Sequence, residues 1–447
     1  MRDWAHEMSI RSSFSRKVAI LAGSAVLGIG LAACGSGSGS SDGKVQIRFL
    51  TGNGQDATKE ANDFIAAFEK KYPNITVKLN QQPVGSEGDN LVKTKLSTGE
   101  MEDVFFYNTG SLLQTLRPDK TLVDLSDQPW VSQITDDFKS TVTAGNKVYG
   151  APLGTSFAGG ILYNKKVYDK LGLTVPTSWA DFMANSEKIK QQDPGVAPVI
   201  QAYGDDYTAQ IWLLADFANV DHQDPEWATK YTQNKVKYSQ QPALAGFLHQ
   251  QQAYAAGLFN KDFASITNDQ ALAVLADGKG AQYPILTNSV GAIAQNTPDK
   301  VKDIGYFAMP ADDPANTSAT IWQPNGLYIP QTTEGDKLDA AKKFVEFITS
   351  SPEACAVQNQ VGVPTGPYVT SACKLTGDVP PAIQDVQKYF DEKRTAPALE
   401  FLSPIKGPNL PRITVQVGSG ISSGAQGAAL YDEDVKKQAQ QLNLPGW

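Results

Sequence analysis

The chain has 447 residues, with 39 lysines and arginines against 47 aspartates and glutamates, and its formal net charge is −8 at pH 7. Nucleic acid is excluded as a partner, because phosphate neutralisation requires basic clusters that this acidic chain does not contain. Beyond His6 the only histidines are His222 and His249, which disfavours a histidine-built metal site or a Ser-His-Asp triad, and we expect no cofactor.

The N-terminal segment is typical of a signal peptide. An uninterrupted, weakly apolar run extends from Val18 to Leu31, which is too short for a resident transmembrane helix but suits a signal-peptide core. Arg11, Arg16 and Lys17 precede this run. We therefore interpret the segment as a targeting sequence and expect the remainder of the chain to lie outside the cytoplasm.

Residues 31–34, Leu-Ala-Ala-Cys, resemble a bacterial lipobox, in which a cysteine is lipidated before the signal peptidase cleaves. We predict that residues 1–33 form a lipoprotein signal peptide, that Cys34 carries the lipid, and that residues 34–43 form a Gly/Ser tether. The alternative is a cleaved secretory signal with an incidental cysteine. The predicted anchor would hold the protein at the cell membrane through its lipid chains.

The body that follows the tether has no other stretch with the length and apolarity of a transmembrane helix. Its roughly 400 residues exceed what one hydrophobic core usually serves, so two lobes are expected. Cys355 and Cys373 remain as a pair in an oxidising compartment, and we predict a disulfide between them. Two buried free thiols are the alternative.

Hydrophobic periodicity predicts alternating strands and helices, which is typical of an α/β fold. Strands are predicted at 45–50, 75–79, 103–107, 198–202, 303–309 and 327–330. Helices are predicted at 58–71, 91–96, 178–191, 243–257, 268–277 and 338–349. Ser178 and Asp181 fit a capping box at the start of the third of these helices. The continuous apolar run at 103–107 indicates a buried parallel strand, and hence a sheet covered on both faces.

Residues 52–57, Gly-Asn-Gly-Gln-Asp-Ala, stand between a predicted strand and a predicted helix, where a dinucleotide-binding fingerprint would occur. We reject that interpretation, because the second strand ends at Asn80-Gln81-Gln82 without a carboxylate for a ribose hydroxyl. Two interpretations remain. The segment is either a plain turn or a ligand loop with polar groups on Asn53, Gln55 and Asp56.

Adjacent acidic residues occur at 136–137, 205–206 and 312–313, but a glycosidase needs two carboxylates separated across a sugar ring, which adjacency does not provide. Asp205 differs from the others because aromatic and hydrogen-bonding residues surround it in 203–212. Rings that stack on sugar faces and polar groups that bind hydroxyls are the components of a sugar site. Residues 322–326 offer the same mixture, and Trp322 is interpreted equally well as core or as a ligand platform.

A set of ordered segments resembles the family 1 extracellular solute-binding proteins, the group that contains the maltose-binding proteins. The segments are Tyr149-Gly150-Ala151-Pro152-Leu153, Ile161-Leu162-Tyr163-Asn164-Lys165, Leu171-Gly172-Leu173, Pro176-Thr177-Ser178-Trp179 and Asp277-Gly278-Lys279-Gly280-Ala281, with Ser351-Pro352-Glu353 ahead of Gly362-Val363-Pro364. Each segment alone is weakly specific. Their order and spacing carry the resemblance across nearly the whole body.

The resemblance implies an α/β, two-lobed, hinge-connected fold of the type II periplasmic-binding-protein kind. By position, the N-terminal lobe would comprise residues 44–152 and 306–330, and the C-terminal lobe residues 153–305 and 331–447. Crossings between the lobes would lie near 151–155, 303–308 and 328–334. The ligand would be held between the lobes, which close around it.

The same resemblance implies the cleft residues. These are Asn53, Gln55 and Asp56 after the first strand, Tyr107 with Asn108, Thr155 and Ser156 where the family places a carboxylate, Asp205 and Tyr207 with Trp212 nearby, Tyr283 or Asn288 in place of a tryptophan platform, Trp322 and Asn325, and Arg412 in a rim segment at 400–412. The missing carboxylate and the missing tryptophan leave the size of the ligand open.

The implied function is that of a monomeric solute-binding lipoprotein of an ABC importer, which captures an oligosaccharide and delivers it to the membrane permease without breaking a bond. Two alternatives stay open. One is a binding subunit for a non-sugar solute such as glycerol phosphate, a polyamine or a peptide, and the other is a secreted glycosidase. Few candidate cleft residues are basic and only Asp56 and Asp205 are acidic, which favours a sugar over a phosphate or a polyamine.

Overall fold

The computed structural model describes residues 44–53, 55–83, 86–360 and 362–447. The predicted signal peptide, the lipidation site Cys34 and the Gly/Ser tether lie outside the described residues, and so do the side chains of Gln55 and Asp56. Within the described part of the chain, no helix is long and apolar enough to cross a membrane.

Strands and helices alternate along the first half of the body. The strands are β1 (Val45–Gly52), β2 (Ile75–Gln82), β3 (Val104–Tyr107), β4 (Thr143–Ala144), β5 (Lys147–Val148), β6 (Gly150–Leu153), β7 (Phe157–Asn164), β8 (Ala197–Val199), β9 (Gly280–Leu286), β10 (Ile304–Phe307), β11 (Ala319–Trp322), β12 (Asn325–Tyr328) and β13 (Thr395–Pro397).

The helices cover the faces of the sheets and form most of the C-terminal third. They are α1 (Gln55–Lys71), α2 (Ser86–Thr98), α3 (Ser111–Thr115), α4 (Pro118–Thr121), α5 (Asp136–Thr141), α6 (Lys165–Leu171), α7 (Trp179–Gln192), α8 (Ile211–Leu214), α9 (Phe217–Gln223), α10 (Trp227–Thr232), α11 (Leu244–Ala255), α12 (Asn268–Ala276), α13 (Val290–Asn296), α14 (Gly335–Ser350), α15 (Pro352–Gln360), α16 (Pro381–Asp391), α17 (Leu399–Leu402), α18 (Leu410–Gly418) and α19 (Gly424–Gln441).

The first core surrounds a five-stranded sheet of order β2-β1-β3-β12-β6. Strand β1 is parallel to β2 and β3, whereas β12 is antiparallel to β3 and β6. Helix α14 packs on this sheet, and its Phe344 ring lies edge-on to Phe49 of β1 at a centroid distance of 5.4 Å. Polar side chains that follow β3 are therefore brought to the end of the sheet next to β12 and β6.

The second core surrounds a six-stranded sheet of order β13-β11-β7-β9-β8, in which β10 also pairs with β7. Strand β7 lies at the centre of this sheet, and its residues from Ala158 to Asn164 are consequently all buried. Trp212 packs edge-to-face against both Trp179 and Phe182 in this core, with the ring centroids of Trp179 and Trp212 6.0 Å apart. The predicted capping box is confirmed at the start of α7, where Ser178 and Asp181 bond reciprocally.

Two short segments cross directly from one sheet to the other. Residues 154–156 join β6 to β7, and residues 323–324 join β11 to β12. A third, longer connection leads from α15, on the first core, to α16, on the second. The crossing predicted near 151–155 lies close to the first of these.

The crossings predicted near 303–308 and 328–334 are wrong. Residues 304–307 form β10, which pairs antiparallel with β7 inside the second sheet. The segment at 328–334 follows β12 and leads to α14, both of which belong to the first core. The two cores consequently divide the chain differently from the predicted lobe limits, with β10 and β11 in the second core and α14 and α15 on the first.

The predicted disulfide between Cys355 and Cys373 is present, with the two Cα atoms 5.3 Å apart. It ties α15 to the long connection that leads to α16. The bond therefore restrains the segment that runs between the two cores.

Asp216 is a buried carboxyl group in the second core, 3% exposed, and its Oδ1 accepts a hydrogen bond from Asn219 Nδ2 at 2.7 Å. Burial raises its pKa from 3.8 to about 7, while His249 nearby favours the charged form. A carboxyl whose pKa is raised on folding stabilises the folded protein fully below the unfolded pKa, and this contribution is lost as the pH rises through the folded value.

We expect Asp216→Asn to remove this pH dependence, so that the variant gains stability over the wild type between pH 5 and pH 8. The asparagine amide keeps an acceptor for Asn219 but cannot ionise. Urea unfolding at the two pH values checks the expectation, with Asp206→Asn at an exposed position as the control. An equal stability difference at both pH values would show that Asp216 does not change protonation on unfolding.

Candidate functional site

A cavity of about 710 Å³ opens where the two sheets approach each other. Both direct crossings contribute to its walls, and so do the residues after β3 and the start of β7. The lining residues are Asn108, Thr109, Ser111, Leu112, Leu153, Gly154, Thr155, Phe157, Asn288, Trp322, Gln323, Pro324, Asn325, Thr365, Glu400, Phe401 and Lys406. The size and the position between two cores are typical of a small-ligand site.

One wall of the cavity is aromatic. Trp322 and Phe157 stand on adjacent antiparallel strands and stack with ring centroids 6.0 Å apart and an interplanar angle of 12°. Gly159 makes this arrangement possible, because a Cβ atom there would lie 2.6 Å from Cζ3 of the indole. The residue pattern of β7 thus leaves room for a flat apolar surface at the cavity.

The indole of Trp322 is hydrogen-bonded to a carboxylate. Trp322 Nε1 donates to Glu400 Oε1 at 2.9 Å, and the other carboxylate oxygen lies 3.7 Å from Lys406 Nζ. The side chains of Glu400 and Lys406 are 35% and 40% exposed, so both remain accessible from the cavity. Among the described residues that line the cavity, they are the only ionisable ones.

The remaining polar groups of the lining are amides and hydroxyls. Asn108 Nδ2 donates to Asp89 Oδ1 at 3.2 Å, and burial raises the pKa of Asp89. Gln323, only 5% exposed, has an Oε1 atom without a hydrogen-bond partner among the described residues. Because a buried acceptor without a donor is unfavourable, this oxygen is suited to a ligand hydroxyl.

The floor of the cavity is a hydrogen-bonded junction of the first crossing with the segment at 365–368. Ser156 donates to the Pro367 carbonyl from both its backbone nitrogen and its Oγ, each at 2.9 Å. Thr155 and Thr365 share a hydroxyl hydrogen bond at 3.0 Å, and Thr287 Oγ1 donates to the Thr365 carbonyl at 2.6 Å. The junction connects both cores directly beneath the aromatic wall.

The two cores also touch at the rim, where α17 meets α3. Gly110, just before α3, has φ of 68°, and a Cβ atom there would lie 2.6 Å from Cδ1 and 3.2 Å from Cα of Phe401. The rim contact therefore depends on a residue without a side chain, in a conformation that favours glycine.

The structure brings five of the predicted site residues together in the cavity. They are Asn108, Thr155, Asn288, Trp322 and Asn325. Glu400, Phe401 and Lys406 come from the segment predicted to line the rim, whereas Arg412, also predicted there, lies exposed on α18 and outside the lining.

The other predicted site residues whose side chains the structure describes do not line this cavity. Trp212 and Tyr283 are buried in the second core, where the indole donates to Gln201 at 3.0 Å and the phenol donates to Asn268 at 2.8 Å. Tyr107 and Ser156 are also buried, next to the lining residues Asn108 and Thr155. Asp205 accepts from the backbone of Asn268, Tyr207 is exposed, and Asn53 is exposed after β1.

Several lining residues were not predicted from the sequence. They are Phe157, residues 153–154 where β6 leads into the first crossing, residues from the segment 109–112, and Thr365. Phe157 is the residue with the clearest signal, because it follows the polar pair Thr155-Ser156 at the start of a strand. No group of three or more His, Cys, Asp or Glu side chains within the described ranges is arranged to hold a metal ion.

The family model of bacterial extracellular solute-binding proteins matches residues 51–354. A multiple sugar-binding protein of Streptococcus mutans is 25% identical over 344 residues, which cover 75% of this chain and 79% of the relative. The melibiose/raffinose/stachyose-binding protein MelE of Bacillus subtilis is 24% identical over 340 residues, covering 73% and 75% of the two chains.

Among solved structures, the apo form of RafE from Streptococcus pneumoniae superposes with a TM-score of 0.72 at 21% identity, covering 90% of this chain and 98% of RafE. At this level of identity the similarity concerns the fold. It confirms the predicted two-lobed α/β class.

Proposed function

Because this chain belongs to the family of bacterial extracellular solute-binding proteins, we propose that it captures an oligosaccharide between its two lobes and delivers it to the permease of an ABC importer. The observation that carries the proposal is the cavity between the cores, which is lined by the Trp322–Phe157 wall together with amide and hydroxyl groups. Aromatic rings pack on the C–H faces of sugars, and amides bond to their hydroxyls. The names of both relatives point to the same class of ligand.

The mechanism is binding coupled to closure. A ligand in the cavity contacts the first core through Asn108 and the second through Phe157 and Asn288. Since a ligand stabilises the state in which it makes more contacts, it favours the form in which both lobes reach it. No bond is broken, and the permease recognises the closed form.

The proposal includes a location at the outer face of the cell membrane. Cleavage after residue 33 and lipidation of Cys34 would leave the monomeric body on the Gly/Ser tether. The lipobox-like residues 31–34 support the anchor, and the extracellular character of the family supports the compartment.

A thermal-shift screen with melibiose, raffinose and stachyose tests the proposed ligand class. At a concentration of about 100 times Kd, a specific sugar should stabilise the protein by about 2.7 kcal/mol. Glycerol 3-phosphate, spermidine and a tripeptide serve as the non-sugar comparison. A shift with one of these and none with any sugar would overturn the proposal.

Chromatography of the bound sugar after prolonged incubation separates binding from hydrolysis. We expect the sugar to be recovered intact in stoichiometric amount. Shortened products that accumulate over time would instead assign the cavity to a glycosidase.

A further inference from the structure

We propose that the Glu400–Lys406 pair makes the cavity selective for neutral sugars over sugars that carry a carboxylate or an ammonium group. This inference rests on the proposed function and deepens it. Glu400 and Lys406 are the only ionisable residues of the described lining, and their charges are opposite, so the lining as a whole is neutral.

The geometry of the pair suits hydroxyl groups. The carboxylate Oε2 and the Lys406 Nζ are 3.7 Å apart, which is longer than a direct hydrogen bond and leaves both atoms free to bond further. A sugar hydroxyl both donates and accepts, so neighbouring hydroxyls can donate to Glu400 and accept from Lys406 at once. Neither charge then loses its partner when the ligand binds.

A charged sugar disturbs this balance. A uronate carboxylate that pairs with Lys406 shares its ammonium group with Glu400, so that two carboxylates lie beside one ammonium group. An amino sugar has the opposite effect, because its ammonium group and that of Lys406 then lie beside the single carboxylate of Glu400. Since a charge withdrawn from water without a partner is unfavourable, both classes bind more weakly than a neutral sugar of similar size.

Glu400 has a second role as a positioning residue for Trp322, because its Oε1 accepts the indole N–H. Glu400→Gln separates the two roles, since an amide oxygen can still accept that hydrogen while the charge is removed. Lys406→Gln removes the opposite charge without touching the indole. Glu353→Gln is the matched control, because Glu353 forms a comparable exposed pair with Lys71 at 3.1 Å on α15, away from the cavity.

The experiment measures, for each variant, Kd for trigalacturonate and for whichever of melibiose, raffinose and stachyose binds the wild type most tightly. The readout is the ratio of the acidic to the neutral Kd, in which general weakening of the site cancels. We expect Glu400→Gln to lower this ratio about tenfold and Lys406→Gln to raise it about tenfold, as for one charge-assisted hydrogen bond. Glu353→Gln should leave it unchanged.

The outcomes separate this inference from the proposed function. If the wild type binds a neutral sugar and both variants weaken the two ligands equally, or Glu400→Gln gains no trigalacturonate binding, the pair has only a structural role and the inference is overturned. If the wild type binds none of the neutral sugars, the proposed function falls and the inference falls with it.

Discussion

Trp322→Ala is expected to weaken sugar binding about 100-fold. The indole, 6% exposed, stacks on the half-buried Phe157 to form the aromatic wall, and its removal takes away both this stacked pair and the group that Glu400 orients. Buried aromatic anchors of this kind contribute about 2 kcal/mol or more to binding, which corresponds to a change of thirty- to several hundred-fold. Isothermal titration calorimetry with the sugar found in the screen gives the value directly.

Two further variants make this result interpretable. Trp322→Phe keeps an aromatic ring and loses the indole N–H, so its affinity should fall between those of the wild type and the alanine variant. Tyr207→Ala removes a ring that was predicted from sequence to contact the ligand, but the structure leaves it 41% exposed and outside the cavity. A loss of affinity in Tyr207→Ala with none in Trp322→Ala would move the site from the cavity to the surface around Tyr207.

The elements that were predicted correctly from the sequence are those whose structure is determined by their own residues. The amphipathic pattern around Phe64 and Phe68 gave α1, and the reciprocal bonds of Ser178 and Asp181 set the start of α7. Helices α16 and α18 were not predicted, and both have a proline in the first turn, where it is permitted, although prolines are also typical of loops. Local pattern alone does not distinguish the two contexts.

The crossings depended on pairing between residues far apart in sequence. Strand β10 has only four residues, and nothing in its sequence states whether it continues into the other lobe or pairs with β7. The lobe limits were displaced for this reason, because the placement of α14 follows from where β12 returns to the first sheet. Strand pairing between residues far apart in sequence cannot be predicted from hydrophobic periodicity.

The candidate site shows the same limit at the level of single residues. Trp212 and Trp322 both stand among polar residues in sequence, yet Trp212 finds Gln201 inside the core while Trp322 lies where the chain crosses between sheets. Residues that are adjacent in sequence can also point in different directions, because side chains alternate between the two faces of an extended segment. Thr155 reaches the cavity and Ser156 points into the junction with Pro367.

Gly110→Val is expected to hold the lobes apart and to weaken sugar binding about 30-fold. A side chain at this position would collide with Phe401 of the other core, at 2.6 Å from the ring and 3.2 Å from its Cα, so approach of the two rims is blocked. If the closed form falls to about 3% of the population, the apparent Kd rises by the inverse of that fraction. Calorimetry measures the affinity, and small-angle X-ray scattering should show a larger radius of gyration.

Gly145→Val is the matched control, because Gly145 also has a positive φ, of 53°, but a Cβ atom there meets nothing within 4 Å. Both variants place a β-branched residue at a positive φ, which strains the backbone, and only Gly110→Val meets the opposite lobe. Adding Phe401→Ala to Gly110→Val should bring the radius part of the way back, since the colliding ring is gone while the backbone of residue 401 still lies 3.2 Å from the added Cβ. A radius that stays at the wild-type value in Gly110→Val would show that the rim contact does not limit closure, and that the junction of Thr155, Ser156 and Thr365 beneath the cavity sets the angle between the lobes instead.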